Sequence, residues 1–214
     1  MNEIILELKA TLEACFDGQS YYTALWHERE PEMPDRNDDY TMESLRNLVL
    51  LQHYYNFSLW HIEDIARRKD LDDAIIADCK RKIDSLNQKR NDCIELVDQC
   101  LYSVILPALP KNSTPRQNTE TAGMAIDRLS ILALKIYHMD EQTKRDEAGK
   151  EHMKASAEKL TVLQRQRRNL AQAVLELISD YAQGDKVPVL YSQFKMYNDP
   201  SLNPELYDRP AKNA

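Results

Sequence analysis

Residues 70–107 read DLDDAIIADCKRKIDSLNQKRNDCIELVDQCLYSVILP, and this stretch decides the fold. Ile83, Leu86, Arg90, Cys93, Val97, Cys100 and Val104 recur at alternating steps of three and four, the spacing of a helix with one buried stripe. Asp70 stands ready as N-cap with Asp73 three residues on, and Pro107 and Pro110 stop the helix near Ile105. Working back from it, a second long helix is predicted over Met42 to Lys69 with Thr41 as its cap, so 41–106 reads as a helical hairpin. Working forward, 107–120 is a turn-rich linker, followed by helices over Thr121 to Arg145 and Lys150 to Gln183. Gly184 closes the last of these at a C′ position, making 121–184 a second hairpin.

The two ends complete the expectation. A short amphipathic helix is predicted from Glu3 to Phe16, ending near Gly18, with a charged, proline-bearing loop over Glu28 to Asp39 filling out residues 1–40. Residues 185–214 hold several prolines and tyrosines, too apolar for a free tail, and are expected to pack back on the bundle. The predicted fold class is all-α: one domain, 1–214, an antiparallel bundle of about five helices with an irregular C-terminal segment. With only four glycines and 43% hydrophobic residues, the composition agrees.

The net charge of -7 argues against a nucleic-acid binder, which needs a basic surface to displace counterions. Cys15, Cys79, Cys93 and Cys100 form no CxxC pair and read as reduced core thiols. No stretch approaches the ~20 apolar residues of a membrane span, so neither insertion nor a leader is expected, and the default compartment is the cytoplasm.

Polar side chains at core-facing positions are the main functional clue. Arg90 interrupts the stripe of the third helix. Arg167 likewise interrupts Leu160, Leu163, Leu170, Val174, Leu177 and Tyr181 in the fifth. A guanidinium cannot shed its charge, so each needs a carboxylate, carbonyls, water or an anionic ligand. Asp84, Asn87, Asn91 and Asp98 flank Arg90 on one face, and short polar residues there favour geometry over helicity. On the second helix His53, Asn56, Trp60, Asp64 and Arg67 share a face. On the fourth, Asp127, Ser130 and His138 lie near one azimuth, with Arg128 and Lys135 beside them. If these stripes faced a common axis, the interior would hold a cluster of Arg, Lys, Asp, Asn and His. A solvated face or closed salt bridges is the plainer reading of each.

HIEDIAR (61–67), KRKIDSLNQKRND (80–92), IDRLSILALKIYHM (126–139) and QFKMYNDPSLNP (193–204) together resemble one bacterial family, the uncharacterised domain-of-unknown-function family 4254. The resemblance implies an all-helical fold and a bacterial surface-polysaccharide context. It carries no assigned activity and no catalytic residues.

Known chemistries find little support in the residues. Arg81, Asp84 and Arg90 faintly resemble the arginine-bearing first helix of helical chorismate mutases, but that fold is much shorter. Glu95 and Asp98 supply one ExxD spacing, with Glu63 and Asp64 as a partial counterpart, short of the paired acidic motif of helical nucleotide pyrophosphatases. Di-iron ExxH pairs, a nucleophile elbow and a Gly-rich phosphate loop are absent, so no cofactor is expected. The five histidines are not spaced as ligand pairs, so no metal is expected either.

Two functions remain. In the first, Arg90, Arg128, Lys135 and Arg167 bind an anionic small molecule, with Asp84, Asp127, His138 and the polar faces of Asn87, Asn91, His53, Asp64 and Arg67 completing the site. In the second, the chain is a non-catalytic scaffold whose ion pairs fix register, and a homo-oligomer is open to it. Whether it is an enzyme is left open.

Overall fold

The computed structural model describes residues 3–37, 39–111, 115–194, 196 and 199–207. Its long helices are α1 (Glu3–Glu28), α2 (Met42–Ala66), α3 (Asp73–Ile105), α4 (Ala122–Thr143) and α5 (Lys150–Gln183), followed by one turn, α6 (Pro204–Tyr207). Short 3₁₀ turns lie at Leu106–Ala108 and Asp146–Ala148. The fold is all-α. The centre of the predicted 107–120 linker, residues 112–114, lies outside the described residues.

Local chemistry explains most helix ends. Thr41 accepts from the Ser44 N–H at 3.1 Å and Thr121 from the Met124 N–H at 3.2 Å, each satisfying one orphan donor. Gly184 takes φ 80°, the left-handed conformation a side chain resists, and its N–H closes on the carbonyls of Asp180 and Tyr181. The third helix starts later than the sequence suggests. Asp70 is drawn away by Arg68, which grips its carboxylate at 2.6 and 3.1 Å, and Asp72 takes the cap position instead.

Helix α1 corrects the sequence reading most. It runs straight through Gly18 to Glu28 rather than stopping there. A mid-helix glycine costs only about 1 kcal/mol relative to alanine. Burying Phe16, Gln19, Thr23 and Trp26 on either side of it outweighs that.

The α2–α3 and α4–α5 hairpins supply the most extensive packing, and α1 lies against all four of their helices. The main core joins Ile5, Leu8 and Leu12 to Leu45 and Leu48, Val97 and Cys100, Ile126 and Leu129, and Ile178. A smaller cluster of Trp26, Phe57 and Leu134, flanked by Tyr22, Leu50, Tyr54 and Trp60, forms beside it. All four cysteines are free and buried. No helix among the described residues is long and apolar enough to cross a membrane.

Among the described residues, the C-terminal segment bonds back to the bundle through Gln193. Arg116 donates its N–H to the Asp185 carbonyl at 2.9 Å, Lys186 pairs with Asp180 at 3.2 Å, and the Gln193 N–H reaches Glu95 at 2.6 Å. Beyond it, Phe194, Met196, Leu202, Leu206 and Tyr207 are exposed, Phe194 to 88%.

Asp98 of α3 ties the start of α4 to the bundle. Its carboxylate accepts the buried Gly123 N–H at 2.7 Å, at the positive end of α4. Gly123 is required by this approach, since a Cβ there would stand 2.8 Å from both the Asp98 Cγ and the Ile94 carbonyl oxygen. Burial pushes the Asp98 carboxyl from 3.8 up to about 6, aided by Glu95 and opposed by hydrogen bonds from Thr121 and Gly123. The folded chain thus holds this proton more tightly than the unfolded one. The resulting stability is present below pH 3.8 and lost as pH rises through about 6. Asp98→Asn keeps an acceptor and removes the titration. Relative to the native chain, the variant should gain up to about 3 kcal/mol between those limits. Urea unfolding of both proteins at pH 4 and pH 7 reads the difference directly; a constant gap would contradict it.

Candidate functional site

The polar interior is built where α1, α2 and α4 meet. His53 and Asn56, one turn apart on α2, are both buried, and Asp127 and Ser130 of α4 stand opposite. The Thr23 hydroxyl donates to the Gln19 carbonyl at 2.7 Å, so toward His53 Nε2, at 3.0 Å, it accepts. His53 therefore carries its proton on Nε2, and its Nδ1 accepts from the Ser130 hydroxyl at 2.7 Å. Ser130 accepts from Asn56 Nδ2 at 3.0 Å, and the same nitrogen donates to Asp127 Oδ1 at 2.8 Å. The donors run one way, from Asn56 through Ser130 and His53 to Thr23. A second proton on His53 would break that order. Burial, with help from the Arg167 charge, lowers its pKa to about 3, although a hydrogen bond involving the Gln19 backbone works the other way. Trp26 stacks on the ring at 5.3 Å and 22°.

Asp127, itself buried, is the acidic member of this network. Burial raises its pKa, while Arg90, Asn56 and Arg128 oppose the rise. Its partner Asn56 lines a cleft of about 370 Å³ between α2, α3 and α4, within the range of small-molecule sites. Arg67, Asp64 and Glu63 line one wall, Asn87 and Arg90 the other, and Leu59, Trp60, Ile131 and Leu134 supply apolar surface. Arg67 is committed to Glu63 at 2.8 Å. Arg90 is not. Its one polar contact among the described residues is 3.4 Å to Asn91 Oδ1, and its buried Nε has no hydrogen-bond partner. A buried polar atom left in that condition costs about 1–3 kcal/mol, more when charged.

The structure divides the residues singled out in the sequence. Arg90, Asn87, Asp64 and Arg67 meet in the cleft; Asn91 bonds to Arg90, Asp127 bonds to the lining residue Asn56, and His53 is buried in the interior network. The others do not converge there, so the four stripes do not share one polar axis. Asp84 is paired with Lys80, and Arg128 with Glu120, both toward solvent. Lys135 is exposed. Arg167, half-buried, donates to the Phe16 carbonyl of α1. Its Nε is buried without a partner among the described residues, but it lies outside the cleft lining.

A family described as "protein of unknown function (DUF4254)" matches residues 46–189. The chain belongs to that family. No curated protein and no solved structure matches it. The span shared with DUF4254 contains every residue that lines the cleft, together with Asp127 and Ser130, and leaves out α1.

One group in this DUF4254 chain was not read from the sequence as a unit. His27 near the end of α1, His61 of α2 and His138 of α4 place one ring nitrogen each within 4.8 Å of one another. His27 Nδ1 donates to the Thr23 carbonyl at 2.6 Å and His138 Nδ1 lies 2.8 Å from Glu141. Their Nε2 atoms are buried and have no partner among the described residues. Burial and the two neighbouring imidazoles lower the His61 pKa, against Asp64 and Glu141. Phe57 packs edge-on to His27 and His61, Tyr137 stacks on His27, and Trp60, which also lines the cleft, stacks on His138 at 4.7 Å and 7°.

Proposed function

We propose that this DUF4254 protein binds an anionic small molecule in the cleft between α2, α3 and α4. The observation that carries the reading is Arg90, a half-buried guanidinium that lines a cleft of ligand size and whose buried Nε has no partner among the described residues. Arg67 adds a second positive group at the rim, Asn87 and Asp64 offer hydrogen bonds to hydroxyls, and Trp60 gives an apolar wall. A phosphorylated sugar or nucleotide sugar combines those features. It also suits the bacterial surface-polysaccharide setting that the family resemblance implies.

A panel of sugar phosphates and nucleoside-diphosphate sugars, screened by thermal shift, tests this. At a ligand concentration 100-fold above Kd the native state gains about 2.7 kcal/mol. For a chain of this size that raises Tm by about 5–10 °C. The reading fails if no member moves Tm, or if the Arg90→Leu variant shifts equally.

A second reading, a non-catalytic docking module, is favoured by the exposed apolar side chains of Phe194, Met196, Leu202, Leu206 and Tyr207. Under it, replacing Phe194 and Leu202 with serine would abolish self-association measured by sedimentation while leaving anion binding untouched.

A further inference from the structure

We propose that His27, His61 and His138 form a site for a transition-metal dication, with Zn²⁺ the ion that suits the donor set best. Three imidazoles without a thiolate or clustered carboxylates favour zinc and its neighbours over Mg²⁺ or Ca²⁺, which take oxygen ligands. Zn–N bonds of about 2.0–2.1 Å place tetrahedral ligand nitrogens about 3.3 Å apart. From a present separation within 4.8 Å, the rings need close by no more than about 1.5 Å.

The arrangement around the rings is stronger than their proximity. A metal-bound histidine normally donates its other N–H to a carbonyl or carboxylate, which fixes the tautomer and aims the free lone pair at the ion. His27 does this through the Thr23 carbonyl and His138 through Glu141. In each case that commits Nδ1 and leaves Nε2 as the lone-pair atom, and those two Nε2 atoms are buried without a partner. Phe57, Tyr137 and Trp60 pack around the rings and limit water. Three protein ligands leave one coordination position for water or an added ligand. The site stands independently of the anion reading, because neither Arg90 nor Arg67 belongs to it.

The test uses the full chain, stripped with EDTA and titrated with Zn²⁺ by calorimetry and with Co²⁺ by visible absorption. The expected result is one equivalent per chain and the intense visible bands of four-coordinate Co²⁺. Glu141→Gln should weaken binding by about 10–100-fold, as loss of an outer partner does. His61→Gln should weaken it further, with circular dichroism confirming the helices. His152→Gln, an exposed histidine outside the cluster, should change nothing. Zinc binding that survives His61→Gln unchanged, or a native chain that takes up no zinc, overturns the proposal.

Discussion

Replacing His53 with alanine is expected to lower the unfolding free energy by about 3–5 kcal/mol, the range for deleting a buried ring. The ring is fully buried and joins three helices: Thr23 of α1 on one nitrogen, Ser130 of α4 on the other, and α2 as its own support. Truncation removes the stack on Trp26, opens a cavity, and takes a partner from both hydroxyls. Each orphaned group adds a desolvation penalty of about 1–3 kcal/mol unless water enters. Since small domains hold only about 5–15 kcal/mol in total, the variant should be visibly marginal. A His53→Phe exchange keeps the volume and the stack but loses both hydrogen bonds, so it should fall between the two. Urea unfolding measures all three proteins, and a loss below about 1 kcal/mol for alanine would mean the directed network contributes little.

The same residue shows what the sequence made legible. His53 and Asn56 stood out because they share a face with Trp60 and Asp64, typical of neither core nor surface. Their direction did not follow. Leu48 and Leu59 of the same helix are buried as apolar residues, whereas Asn56 is buried with Asp127 and Ser130 opposite it to take its hydrogen bonds. Helix α5 was legible to the residue, since Gly184 is a local stop signal that needs no tertiary partner. The end of α1 was not, because Gly18 carries the same kind of signal and the packing of Gln19, Thr23 and Trp26 overrides it. Reading that three-four spacing onward from Phe16 would have extended the helix.

Arginine type was likewise readable, but arginine fate was not. Arg90 and Arg167 look equivalent in the sequence, each interrupting an apolar stripe, while Arg128 stands beside a polar one. Arg128 meets Glu120 from just before α4 and Arg167 meets a backbone carbonyl of α1; Arg90 and Arg167 each keep a buried Nε without a partner among the described residues, and Arg90 is the one that lines the cleft. The histidine cluster left no sequence signal at all. Its members lie far apart along the chain, and only the convergence of α1, α2 and α4 unites them.

Arg90 is therefore where binding should be won or lost. A hydrogen bond to a charged group contributes about 1.5–3 kcal/mol, so its removal should weaken an anion by about 10–150-fold. Leucine suits the partly apolar cleft wall, which keeps the substitution from destabilising the bundle. Arg128→Leu removes the same formal charge from the exposed pair with Glu120 and serves as the control for long-range attraction. Calorimetric titration of the tightest sugar phosphate or nucleotide sugar into native, Arg90→Leu and Arg128→Leu proteins measures this in one series. The predicted result is a loss of at least tenfold for Arg90→Leu and near-native affinity for Arg128→Leu; equal affinities in all three proteins would contradict the cleft as an anion site.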